Sequence, residues 1–181
     1  MINIYKLKLT ILQQEIMRLL FIRVGTSLNA RRIANLLEVS QPAVAKALPL
    51  MEKQGLIKLF QDKESRRWSI ELNRDSKHVL GLKRADNLKQ LYESGLIEGL
   101  WDNFAGSTVI LFGSYALGED TVKSDIDIAV IGSEKKDIPA IFDKILERNI
   151  NINYYKSFKS IDPLLLSNML NGIVLKGSVD I

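Results

Sequence analysis

Apolar residues in the first part of the chain recur at the spacing of a helix face, then give way to short alternating runs. Ile11, Leu12, Ile16, Leu19, Leu20 and Ile22 predict a helix over about Leu9–Val24, ended by Gly25 and Thr26. Asn29 reads as the N-cap of a short helix over Ala30–Leu37, with Ile33, Leu36 and Leu37 turned inward. Ser40 caps a third helix, with Pro42 in its first turn and Val44, Leu48 and Met51 buried. That helix runs to about Gln54, and Gly55 closes it from the position where a left-handed residue is wanted. Two β runs follow, Leu56–Gln61 and Arg67–Leu72, joined by Asp62-Lys63-Glu64-Ser65 as a hairpin, with Phe60 and Trp68 expected in its core.

Helix, helix, turn, helix and hairpin is the order of a winged helix, which we assign to residues 1–76. Residues 77–104 read as helical, interrupted by Gly95 and Gly99, and serve as a connector plus the first helix of the next domain. From Ser107 the pattern changes. Thr108–Phe112 is a continuous apolar run, as in a strand buried on both faces. Gly113-Ser114 opens a short helix, and Ile126–Ile131 forms a second strand. A helix over Ile138–Arg148, a strand over Ile150–Tyr155, a helix over Leu164–Leu170 and the run Ile173–Leu175 complete the chain. Strands alternating with helices over 105–181 make this half α/β. The fold class is therefore α+β in two domains.

Composition narrows the partners. A chain of 181 residues with 46% hydrophobic and 25% charged residues is an ordinary globular protein, large enough for two cores. No apolar run reaches the ~20 residues that cross a bilayer, and the first ten residues lack a secretory layout, so we expect a cytoplasmic protein with no membrane partner. With 0 Cys and a single histidine, His78, thiol chemistry and clustered histidine or cysteine metal sites are excluded. The net charge of +4 hides an asymmetry: residues 1–78 carry 14 basic against 7 acidic side chains, and residues 79–181 carry 11 against 14. A basic first half suits a polyanion, and an acidic second half can lend carboxylates to a cation.

The second half holds the candidate chemistry. Asp125 and Asp127, at i and i+2 on a strand, point to one face, while Ile126 and Ile128 point to the other. Same-facing carboxylates repel, and a cation between them relieves the repulsion. Mg²⁺ (or Mn²⁺) suits, because it takes oxygen ligands and completes its shell with water and phosphate. Upstream, a buried strand running into Gly113-Ser114 presents backbone N–H groups and a hydroxyl to an anion. Gly113 lets a triphosphate approach the backbone, and Ser114 can donate to it.

Taken singly these signals are common; with ten residues between Ser114 and Asp125 they are specific. The sequence here resembles the minimal nucleotidyltransferases of the DNA polymerase β superfamily over about Val109–Lys176, including Asn171-Gly172-Ile173-Val174-Leu175 as the closing glycine and strand. The resemblance implies Ser114 on the nucleotide phosphates and Asp125 and Asp127 on the metal. It also implies a third carboxylate on the next strand, to orient or deprotonate the attacking hydroxyl. That strand offers Asn151 or Asn153 instead, and Leu117 replaces a basic residue common in active relatives. An amide is uncharged and cannot act as a base. Base assistance contributes typically ~10²–10⁴-fold, so its loss slows transfer without preventing binding.

In the first half, Asn29–Leu56 resembles MarR- and ArsR-like winged helices, whose second motif helix enters the major groove while the wing touches phosphates. Gln41, Ala45 and Lys46 lie opposite Val44 and Leu48 and would face DNA; Gln can pair with adenine, and Lys with guanine or phosphate. Lys63, Arg66 and Arg67 at the hairpin tip, with Arg31 and Arg32, would add sequence-independent phosphate contacts. Pro49 inside the recognition helix removes an N–H and is expected to kink it.

The leading expectation is a DNA-binding nucleotidyltransferase that moves a nucleoside monophosphate from an NTP, ATP by preference, to an acceptor hydroxyl. The alternative is a winged-helix regulator whose second domain senses a nucleotide or supports assembly, as a homodimer for instance. A third reading gives the chain a toxin-type protein partner that it neutralises.

Overall fold

A computed structural model describes residues 8–61, 63 and 68–180. The chain divides into two compact units, the first ending at Val79 and the second starting at Leu80.

In the first unit, α1 (Ile11–Ile22), α2 (Ala30–Leu36) and α3 (Gln41–Lys53) precede the hairpin β1 (Ile57–Gln61) and β2 (Trp68–Leu72). The caps are made by side chains. Thr10 and Gln13 form a reciprocal box at α1, the Asn29 carboxamide oxygen accepts from the Arg32 N–H at 2.8 Å, and the Ser40 hydroxyl accepts from that of Ala43 at 3.3 Å. Each satisfies an N–H that the first helical turn leaves without a partner. Gly55, at φ +69°, turns α3 into β1 in a conformation other residues rarely adopt. Ile16, Leu20, Ile33, Val44, Met51, Ile57 and Ile70 close the core. Leu28 adds a bridge on the free side of β2, exchanging backbone bonds with Ile70 at 3.3 and 2.7 Å.

One expectation changes. Phe60 and Trp68 are 50% and 52% exposed, because they sit at the far end of a two-stranded ribbon, beyond the reach of the helices. Helix α3 runs past Pro49 to Lys53, one residue short of its expected end. The carbonyl deprived of its partner by Pro49 belongs to Ala45, an exposed residue, so water can serve it.

In the second unit, α4 (Lys77–Glu93) and α5 (Leu96–Asn103) lead into β3 (Thr108–Phe112), α6 (Gly113–Leu117), β4 (Ile126–Ile131), α7 (Ile141–Leu146), β5 (Ile150–Tyr155), α8 (Pro163–Leu170) and β6 (Ile173–Lys176). The sheet order is β5-β4-β3-β6, with β3 antiparallel to both neighbours and β4 parallel to β5. One face packs Val109, Leu111, Ile126, Ile128 and Val130 on Leu91, Leu96, Ile97, Leu100 and Phe104. The other packs Ile110, Phe112, Ala129 and Ile131 on Phe158, Ile161 and Met169. The sheet is thus covered on both sides, which is why β3 reads as a continuous apolar run and β4 is apolar but for Asp127. The helical stretch expected as a connector plus the first helix of the next domain contributes Leu91, Leu96, Ile97, Leu100 and Phe104 to the first of these two cores. Helix α7 is shorter than expected. Pro139 disfavours helix at Ile138, and Glu147 at φ +50° stops it.

Candidate functional site

Gly113 leaves β3 at φ +73°, and a Cβ built there would lie 2.8 Å from Asp127 Oδ2. Both facts require glycine: the left-handed backbone, and the carboxylate where a side chain would go. Asp127 arrives there because Phe112 and Asp127 are paired across β3 and β4. Ser114 follows in the first turn of α6, half-buried. Asp125 stands just ahead of β4, exposed, two residues from Asp127 and therefore on its face. The structure thus brings Gly113, Asp125 and Asp127 to one end of the sheet, with Ser114 next in sequence.

Parallel pairing places Asn151 of β5 directly beside Asp127, while Asn153 pairs with Ala129 further along the strand. Of the two asparagines named from sequence, Asn151 is the one at the acids. Its Nδ2 donates to Asp125 Oδ2 at 3.0 Å and to Asp127 Oδ1 at 3.4 Å. Its own oxygen accepts from Asn149 Nδ2 at 2.9 Å. Among the described residues no group of three or more His, Cys, Asp or Glu side chains forms a metal-holding cluster, in keeping with an amide in the third place. Two carboxylates with water and phosphate oxygens still fit a divalent cation, whose demand for protein ligands is modest. Beside Asp125 the surface dips into a shallow, open hollow, also lined by Ser124, Lys144 and Asn149, which Asp127 and Gly113 do not line.

Beneath the site lies a group of buried ions that was not anticipated. Lys83 on α4 is 1% exposed, and its ammonium pairs with Asp120 and donates to Asn87 Oδ1 at 3.2 Å. Asn87 Nδ2 donates to Asp120 Oδ1 at 2.7 Å and to the Tyr115 carbonyl at 2.9 Å. Arg148, just before β5, reaches Asp120 Oδ2 at 3.6 Å. These contacts fasten α6, the loop from Gly118 to Asp125, and the entry to β5, the three segments that carry the site. Burial pushes the Lys83 pKa down, and the Asp120 carboxylate acts in the opposite direction. The sequence held one clue: Lys83 and Asn87 are spaced by four ahead of the buried Leu91, on one ridge of α4. Gly118, at φ +76°, brings the loop against that helix, where a Cβ would lie 2.5 Å from the Leu80 carbonyl oxygen.

In the first unit, Gln41, Ala45 and Lys46 are exposed on α3, Arg31 and Arg32 are exposed on α2, and Lys63 is exposed in the hairpin turn. Arg66 and Arg67 lie outside the described residues.

A family model described as a nucleotidyltransferase domain matches residues 94–169, which contain Gly113, Ser114, Asp125, Asp127 and Asn151. No curated protein matches the chain. Among solved structures, a mutant of MepR from a multidrug resistant S. aureus clinical isolate is similar at 23% identity and TM-score 0.37, covering 42% of this chain and 56% of that one. The adhesin competence repressor AdcR from Streptococcus pyogenes is similar at 24% identity and TM-score 0.43, covering 57% of this chain and 72% of that one. A mutant of Lactococcus lactis ZitR is similar at 24% identity and TM-score 0.42, covering 56% of this chain and 66% of that one. This chain thus spans little more than half the length of the MepR protein it matches. With three helices and a hairpin in one unit and the matched sheet in the other, the chain joins a winged-helix domain to a nucleotidyltransferase domain.

Proposed function

We propose that the chain holds a Mg²⁺–nucleoside triphosphate, ATP by preference, at the end of the β3–β4–β5 sheet and transfers its nucleoside monophosphate slowly to an acceptor hydroxyl. The observation that carries this reading is the approach of the Asp127 carboxylate to Gly113, with Asp125 on the same face and Asn151 bridging both acids. Asp125 and Asp127 would hold the cation, and the backbone at Gly113 with the Ser114 hydroxyl would hold the phosphates. The cation, when bound, supplies charge neutralisation at the phosphate oxygens. In the transfer, the acceptor oxygen bonds to the α-phosphorus, the bond to the pyrophosphate oxygen breaks, and the hydroxyl proton passes to solvent. Asn151 cannot take that proton, so turnover is slow.

The first unit would tether this activity to DNA, with Gln41 and Lys46 at base edges and Arg31, Arg32, Lys63, Arg66 and Arg67 at phosphates. The exposure of Gln41 and Lys46 on α3 supports this role. Incubation with radiolabelled ATP, Mg²⁺ or Mn²⁺ and candidate acceptors (protein, nucleic-acid end, small molecule) tests the transfer. Label should move to an acceptor and be lost in Asp125→Asn/Asp127→Asn. No transfer, together with unchanged nucleotide affinity in that variant, removes the enzymatic reading.

A further inference from the structure

The two carboxylate oxygens of Asp127 keep different company. Oδ2 is turned toward Gly113, close enough that a Cβ there would lie 2.8 Å away. Oδ1 receives the Asn151 amide at 3.4 Å, and the same nitrogen donates to Asp125 Oδ2 at 3.0 Å. One side of the acid pair therefore faces the glycine turn, and the other is covered by a hydrogen-bond donor. An amide NH₂ has protons to give and no lone pair to offer a cation. The Asn151 oxygen, which could ligate weakly, is occupied by Asn149 Nδ2 at 2.9 Å. The amide is thus oriented by its neighbour, with the donor end toward the acids.

We propose that this arrangement makes the site a one-cation site, in which Asn151 stands in for a second metal and Asn149 is the positioning residue that holds the Asn151 oxygen away from the cation. The inference rests on the reading of Asp125 and Asp127 as the holders of Mg-nucleotide. The reason is a missing ligand: the Asn151 NH₂ group already serves the carboxylate oxygens that a second ion would need, and a second ion would meet a donor where it requires a lone pair.

The test counts Mn²⁺ on the full chain in the presence of the α,β-methylene analogue of ATP, by titration and electron paramagnetic resonance. Two ions bridged about 3.5–4 Å apart give an exchange-coupled spectrum, and a single ion does not. The wild type should bind one Mn²⁺ per chain with an uncoupled spectrum. Asn151→Asp should bind two, coupled. Asn149→Ala frees the Asn151 amide to turn its oxygen to the ion, and should tighten Mn²⁺ through the added oxygen ligand while the count stays at one. Two coupled ions on the wild type overturn the inference, and so does a single ion on a folded Asn151→Asp. Unchanged affinity in Asn149→Ala removes the role given to Asn149. Absence of Mn-nucleotide binding in all three proteins instead strikes the underlying reading of the acid pair, and the inference falls with it. The wild-type count alone decides the matter should Asn151→Asp fail to fold.

Discussion

Asp120 is the one carboxylate shared by two buried cations, Lys83 and Arg148, so replacing it exposes what the buried cluster contributes. In Asp120→Asn the shape is kept and the charge is lost, so both buried cations lose the carboxylate they share. Removing one partner from a buried ion pair costs about 3–5 kcal/mol. Lys83→Met is the contrasting change. It leaves Arg148 against Asp120 at 3.6 Å, and removes both the ammonium's ion pair with Asp120 and its bond to Asn87 Oδ1. Asp120→Asn disturbs two buried cations, whereas Lys83→Met leaves the buried anion a second cation, so Asp120→Asn should be the more damaging. The pH dependence follows from the direction of the Lys83 shift. Its folded-state pKa lies below 10.5, so the unfolded chain binds more protons across the window between the two values, and stability rises as pH climbs through it. Loss of Asp120 removes the main group that opposes the burial effect, leaving only the weaker pull of Asp86, so the window widens downward and the rise with pH is larger in Asp120→Asn. Urea unfolding at neutral and alkaline pH measures this, with Trp68→Phe as background so that Trp101 reports on the second unit alone. Equal stability of the wild type and Asp120→Asn, or a greater loss in Lys83→Met, would refute the reasoning.

Three further outcomes are expected. Gly113→Ala forces a side chain into a left-handed backbone, at about 1–2 kcal/mol, and against Asp127 Oδ2; nucleotide affinity, read by calorimetry, should fall more than about tenfold. Gly118→Ala should destabilise the second unit by about 2–4 kcal/mol in urea unfolding, from the same strain plus a clash with the Leu80 carbonyl oxygen, whereas Gly106→Ala, with open space around it, should cost only the backbone strain. If the first unit binds DNA, Lys63→Ala should weaken binding evenly across sequences and lower the slope of log K against log salt by about 1 in fluorescence anisotropy, while Gln41→Ala should alter sequence preference.

Much of this was legible in the chain. The helix face of Ile16 and Leu20, the caps at Asn29 and Ser40, and the runs of β3 and β4 are local patterns, each enforced by a hydrogen bond or a buried face within a few residues. The same-face geometry of Asp125 and Asp127 follows from the strand period alone. What stayed hidden depends on partners far along the chain. Asn151 meets Asp127 through parallel pairing, and nothing in the strand's own residues says that its NH₂ group, held by Asn149, would face the acids. The burial of Lys83, Asp120 and Arg148 makes sense only once all three are in place. Phe60 and Trp68 misled for the opposite reason: a bulky strand residue signals core only where something packs over the strand.

The most direct measurement is a crystal structure of the full chain with Mn²⁺ and a non-hydrolysable ATP analogue, with the anomalous signal locating the metal. The account predicts one manganese peak between Asp125 and Asp127, on the side of Asp127 Oδ2, with the phosphates against Gly113 and Ser114. Nucleotide bound elsewhere, or manganese away from both carboxylates, would contradict it.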